Sequence, residues 1–332
     1  SAIISKQADI KKALLPLGIN IIEVQNFASW DFFAKAYIKK IMRQLAPDAV
    51  IAHGNRAISL CKPSHKTLNC LALKHKLQIS NLKFKLIGVT HNYSTRHLLG
   101  LDAVLATTND LKEKIIAAGQ PGHKVFKLPN MVRIGEIPSE YDQNQHTPPN
   151  RNAGKVIIGT MGRFVKKKGF DVFIRAMADL KSYSIDFQAL IGGGGEEEQP
   201  LKDLATKLGL EEHIKFIGWV NNKPQFFDNI DIFCLPSLHE PFGIILLEAF
   251  ASKKPVVAAN SEGPSEIICN NEDALLVQKG NSKAMAEAIL RIYNDAKLAQ
   301  EISQNAFAKA GKYDIKHFAS SLSDILSKIV KK

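Results

Sequence analysis

The sequence predicts an α/β protein made of two doubly wound, Rossmann-like parallel-sheet units, and three observations predict it. Short apolar runs alternate with amphipathic runs along all 332 residues, the pattern of parallel strands joined by helices. Residues 138–154 are rich in Pro, Asn, Gln and Asp, lack periodicity and read as a linker. The clusters richest in chemistry follow strand-like runs, at the carboxyl ends where such sheets bind ligands.

In the first half, strands are predicted at 2–5, Ile21–Val24, 49–52, Lys85–Thr90, Ala103–Ala106 and 124–128, where apolar residues cluster. Helices are predicted at 6–15, 30–45 and 109–118, the last capped by Asn109 or Asp110 and stopped near Gly119. A second unit restarts at Lys155-Val-Ile-Ile-Gly159. Its strands are predicted at 155–161, 186–191, 214–217, 230–235, 255–259 and 274–277, with helices between them and a final helix at 317–330. The expected divisions are therefore 1–145, 146–315, and a terminal segment 316–332.

Composition narrows the function. The chain is 45% hydrophobic and 23% charged, with no 18-residue apolar run to span a membrane. Cys61, Cys70, Cys234 and Cys269 show no metal-ligand spacing and read as reduced thiols of a cytoplasmic protein. The net charge of +12 is concentrated in residues 1–150, which hold 20 Lys and Arg against 10 Asp and Glu. Residues 51–100 contain no acid at all. Such a face suits an anionic membrane surface or acidic acceptor. Nucleic acid is not expected, because no aromatic-rich RNP pattern, zinc knuckle or helix-turn-helix accompanies the charge.

The most informative stretch is Leu235-Pro-Ser-Leu-His-Glu240-Pro-Phe242-Gly243-Ile244-Ile-Leu-Leu-Glu248. Two carboxylates bracket an apolar run, with Pro241 suited to the first turn of a helix and Gly243 permitting close backbone approach. In one helix they would stand roughly 12 Å apart along the axis. Paired glycosidase carboxylates need about 5 to 9.5 Å, so one acid at a sugar and the other at a ribose, with a diphosphate on the N–H groups between, fits better. Upstream, Gly162-Arg163-Phe-Val-Lys-Lys-Lys168-Gly169 follows a strand. Its Arg fork and Lys point charge together suit a leaving diphosphate. Gly192–Gly195 reads as a loop, and the Trp219 ring as core. In the first half, His91 and Asn92 end one strand and His53 another, where a cleft-facing imidazole can donate to a sugar hydroxyl.

These motifs resemble family-4 glycosyltransferases, retaining enzymes of the GT-B fold, over nearly the whole chain. The resemblance implies two Rossmann-like domains facing a cleft, with the last helix crossing back to the first. It places Glu240 and His91 at the donor sugar as catalytic residues. Arg163, Lys168, Gly162 and the backbone of Phe242, Gly243 and Ile244 fall at the diphosphate, Glu248 at the ribose and Val220 at the base. His53 and Asn92 fall on the acceptor side. No metal and no cofactor is expected, the donor being UDP- or GDP-linked, and no Asp-x-Asp motif stands out. The expected acceptor is a lipopolysaccharide or other glycolipid, met by a peripheral protein on the cytoplasmic face of the inner membrane.

The chain departs from the pattern in three places. Met131 follows Pro129-Asn130 where the family has Gly. Glu262-Gly263 stands where many members carry Gly-Gly. The usual opening strand, Gly-rich loop and helix are absent before Ala2, so the first domain is expected to be incomplete; a trimmed chain, a shortened gene, and a partner chain or second copy that completes the domain stay open as explanations. A non-catalytic nucleotide-sugar-binding subunit, a truncated inactive homologue and a GT-B sugar epimerase stay open as alternatives.

Overall fold

The computed structural model describes residues 1–5, 10–25, 31–62, 84–134 and 155–330. The expected linker, residue Cys70 and much of the acid-free basic stretch lie outside them. Two compact units are present, one of Ser1–Leu128 with Leu322–Lys332 and one of Pro129–Ser321.

In the first unit, β1 (Ala2–Ser5) and β2 (Ile21–Val24) pair in parallel, with the short helix α1 (Lys11–Leu14) between them. The predicted first helix runs on as a 3-10 turn to Leu17, because Pro16 cannot continue α-helical hydrogen bonding. Next come α2 (Phe32–Leu45), β3 (Ala49–His53), α3 (Gly54–Cys61), β4 (Lys85–Thr90), β5 (Ala103–Ala106), α4 (Asn109–Ala117) and β6 (Val125–Lys127). Strands β3 to β6 form a parallel sheet in chain order. Helix α4 is capped by Thr108, not Asn109 or Asp110. The Thr108 hydroxyl accepts from the Leu111 N–H at 3.2 Å, while Asp110 bonds the Tyr93 hydroxyl and Lys114.

The second unit contains β7 (Val156–Arg163), α5 (Phe170–Ser182), β8 (Phe187–Gly194), α6 (Glu198–Lys207), β9 (Ile214–Gly218), α7 (Lys223–Asp228) and β10 (Ile232–Leu235). It continues through α8 (Ile244–Ala251), β11 (Val256–Ala259), α9 (Glu262–Ile267), β12 (Leu275–Val277), α10 (Ser282–Asn294), α11 (Ala296–Gly311) and α12 (Phe318–Val330), the last of which runs on into the first unit. Its sheet is wholly parallel, in the order β12-β11-β10-β7-β8-β9.

Strand β10 shows why this sheet is buried on both faces. Ile232 and Cys234 enter one core with Phe173, Phe187 and Ile289, while Phe233 and Leu235 enter the other with Phe227, Leu246 and Phe250. All four strand residues are buried. Alternation therefore sorts side chains between two apolar layers rather than between core and water.

Two strands outrun their predicted ends by two residues or more. Strand β7 continues to Arg163 and β8 to Gly194, pairing Gly162 with Gly193 and Arg163 with Gly194. The run at 192–194 is thus strand, not loop. A Cβ on Gly193 would lie 1.9 Å from the Gly162 carbonyl oxygen, so a side chain there would prevent this pairing.

Candidate functional site

The strand order of the second unit reverses between β7 and β10: the chain runs from β7 outward to β8 and β9, then returns to β10 and proceeds the other way. Such a reversal opens a crevice beyond the carboxyl ends of the two strands. The loops leaving β7 and β10 both enter it and are fastened together. The His239 N–H donates to the Lys167 carbonyl at 3.1 Å. Gly169 adopts φ +66° so close to Pro236 that a Cβ would come 2.3 Å from its carbonyl oxygen.

This fastening brings two of the expected site residues into contact. Lys168 Nζ donates to Glu240 Oε2 at 2.5 Å, although 72 residues separate them in sequence. The Glu240 side chain is 10% exposed and that of Lys168 24%, so the ion pair is largely withdrawn from water. One ammonium proton serves Glu240 and two remain for a second anion. Arg163, the last residue of β7, is exposed. It makes no ion pair with Glu240 among the described residues, and is left as a second cation at the strand end.

Glu240 does not share a helix with Glu248. Helix α8 begins at Ile244 because Gly243, at φ +93°, breaks the helical path before it. Pro241 therefore belongs to the loop, and helical rise does not set the separation of the two acids. Phe242 is buried against Tyr313, and α8 opens two residues on, where a helix leaves its first N–H groups short of intrahelical partners. Glu248, within α8, accepts from Lys223 at 2.8 and 2.9 Å.

At the sheet edge, a Cβ on Gly192 would press to 2.5 Å of the Val220 side chain, so glycine there gives Val220 its room. Trp219 is not core as expected: it is 65% exposed. It follows β9, the edge strand of the sheet among the described residues, and its indole lies against Gly194.

In the first unit, His53 ends β3 and His91 follows β4, the neighbouring strand. Their rings stack at 6.4 Å with 16° between planes. Asn92 is exposed, its side-chain oxygen accepting from the Ser94 N–H at 2.9 Å. Burial lowers the pKa of both imidazoles, and for His53 the neighbouring His91 charge lowers it further. The unfolded chain then binds more protons than the folded one just below 6.5, the ordinary value. Stability present above that pH is lost as pH falls through it. Both residues keep solvent access, so the effect is modest. His91→Gln is expected to melt with a shallower pH dependence than the parent between about pH 7.5 and 5.5, measured by circular dichroism. An unchanged slope would show that the pair does not titrate together.

Sequence reasoning missed Lys223, which holds Glu248, and the pair His239–Glu262, which surrounds the Glu240 backbone. These contacts join separate elements, and nothing in the local spacing of the residues marks them.

The glycosyl transferases group 1 family model matches residues 142–309, just over half of the chain. The lipopolysaccharide core biosynthesis glycosyltransferase LpsD of Rhizobium meliloti (strain 1021) is 29% identical over 272 residues, covering 82% of this chain and 72% of its own. Among solved structures, Anabaena Alr3699/HepE in complex with UDP and glucose superposes with a TM-score of 0.77 at 20% identity, covering 98% of this chain and 91% of its own. A glycosyltransferase from Rickettsia africae ESF-5 does so with 0.77 at 21%, covering 99% and 90%. These likenesses in structure show the fold. With its parallel sheets, this fold and the family match, the chain belongs to the glycosyl transferases group 1 family and is a glycosyltransferase of the GT-B fold.

Proposed function

We propose that this chain moves a sugar from a nucleoside-diphosphate sugar to a hydroxyl of a lipopolysaccharide-type glycolipid, with retention at the anomeric carbon. The observation that carries the proposal is the meeting of Lys168 and Glu240 at the strand-order reversal. A carboxylate and a shared ammonium there suit the two charges of the reaction. Negative charge builds on the departing diphosphate, where Lys168, Arg163 and the N–H groups opening α8 offset it without calling on a metal. Positive charge builds on the sugar ring, which Glu240 faces. Glu248 takes the ribose hydroxyls in place of part of its Lys223 contact, with the base against Val220.

The relatives and the charge pattern support the choice of acceptor. LpsD acts in lipopolysaccharide core biosynthesis by its name. Helix α2 carries Lys35, Lys39, Lys40 and Arg43 and no acid, together with Phe33, 90% exposed, and Tyr37, 47% exposed. A basic surface with protruding aromatics suits an anionic, amphiphilic acceptor at a membrane. No helix among the described residues is long and apolar enough to cross one.

The test is calorimetric titration with UDP and with GDP. One of the two is expected to bind. Arg163→Ala and Glu248→Ala are each expected to weaken it by roughly 1.5 to 3 kcal/mol, the loss of hydrogen bonds to a charged group. Undiminished binding in both variants would place the nucleotide elsewhere. Failure of the parent to bind either would remove the donor site.

A further inference from the structure

We propose that Glu262 is a positioning residue that sets where the Glu240 carboxylate stands, a role that rests on the assignment of Glu240 to the donor sugar. Position 262 is where the chain departs from the Gly-Gly of many members of the family it resembles, and a glycine there would have no side chain with which to make the contacts below.

Glu262 opens α9, and its carboxylate reaches back to the loop after β10. Oε2 accepts from the Glu240 N–H at 3.2 Å, and Oε1 lies 3.0 Å from His239 Nδ1. The next residue completes the hold, since the Gly263 N–H donates to the Glu240 carbonyl at 2.8 Å. Gly263 is packed so closely that a Cβ would lie within 2.3 to 2.5 Å of the Phe242 backbone. The Glu240 N–H, its carbonyl and its carboxylate are thus each engaged, by Glu262, Gly263 and Lys168 respectively.

The charge of Glu262 belongs to this arrangement. Burial alone would raise its pKa, but hydrogen bonds from its own N–H, the His239 ring and the Glu240 N–H outweigh burial and hold it below the usual carboxylate value. The acid therefore stays ionised and acceptor-only, the state that binds an N–H. It grips the Glu240 backbone while the Glu240 carboxylate turns to Lys168. Loss of this grip leaves the loop tied by fewer contacts, and displacements of about 1 Å at a reacting group cost rate heavily.

The experiment compares Glu262→Ala, Glu262→Gln and Glu240→Gln. Turnover is read as nucleoside diphosphate released from a panel of UDP- and GDP-hexoses, affinity by calorimetry with UDP and GDP, and geometry from crystal structures. Glu262→Ala is expected to lower kcat about tenfold to a hundredfold, keep nucleotide affinity, and show Glu240 displaced from Lys168. Glu262→Gln, whose amide oxygen still accepts the Glu240 N–H, is expected to recover most of that loss. If Glu262→Ala leaves kcat and the Lys168–Glu240 contact intact while Glu240→Gln abolishes turnover, the positioning role is wrong and the assignment of Glu240 stands. If Glu240→Gln turns over normally, the assignment itself falls. Equal damage by Gln and Ala, with nucleotide affinity lost, would make Glu262 a ligand contact instead.

Discussion

Glu240→Gln is expected to lower turnover by about a thousandfold, the scale of removing one preorganised electrostatic group from an active site, while nucleotide affinity stays close to that of the parent. The substitution is nearly isosteric, so the packing around a side chain only 10% exposed is kept. What disappears is negative charge beside the expected sugar position. A carboxylate that stabilises the ring more as positive charge develops acts on the transition state and not on the ground state, so kcat falls without a matching change in binding. Lys168 supplies the second half of the expectation. In the parent it is shared with Glu240 at 2.5 Å. The amide keeps an acceptor oxygen but loses the charge, so the ammonium is held less tightly and meets a diphosphate at least as well. A parallel fall in nucleotide affinity would place Glu240 on the nucleotide. Unchanged turnover would take it out of the chemistry.

The sheet of the second unit was legible because each of its strands is a short, nearly continuous apolar run. Residues such as those of Ile232–Leu235 are buried on both faces, and no amphipathic helix has that pattern. The positions of Arg163, Lys168 and Glu240 after strands were legible for the same reason. Their contacts were not. Lys168 reaches Glu240 only because the sheet order sets β7 beside β10, and that order is a long-range fact. Helix starts were misplaced where a local residue type outvoted geometry. Pro241 looked like a first-turn residue, but the left-handed Gly243 two positions on delays the helix. Asn109 and Asp110 looked like caps, yet Thr108 holds the extended backbone that a cap requires. Trp219 looked like core because it is large and apolar. Only the position of β9 at the sheet edge accounts for its exposure.

Gly169→Ala is expected to destabilise the second unit by about 3 kcal/mol, a left-handed penalty plus an overpacking cost, and to disturb turnover as well, and a matched control separates the two causes. Alanine at φ +66° pays the left-handed penalty of roughly 1 to 2 kcal/mol wherever it stands. Gly209 in the same unit has φ +63° with only the flexible Lys181 Nζ within reach, at 3.8 Å, so Gly209→Ala reports that penalty alone. At Gly169 a Cβ also meets the Pro236 carbonyl oxygen at 2.3 Å, and this neighbour is backbone that cannot swing aside. One of the two loops must therefore move. Because they carry Lys168 and Glu240, relief of the clash draws the ammonium away from the carboxylate. Melting of both variants, read with their turnover, tests this. A larger loss of stability for Gly169→Ala, accompanied by a loss of rate that Gly209→Ala does not show, means that backbone contact between the loops holds the charged pair together. Equal effects at the two glycines would mean that the loops have slack and that the ion pair survives on its own attraction.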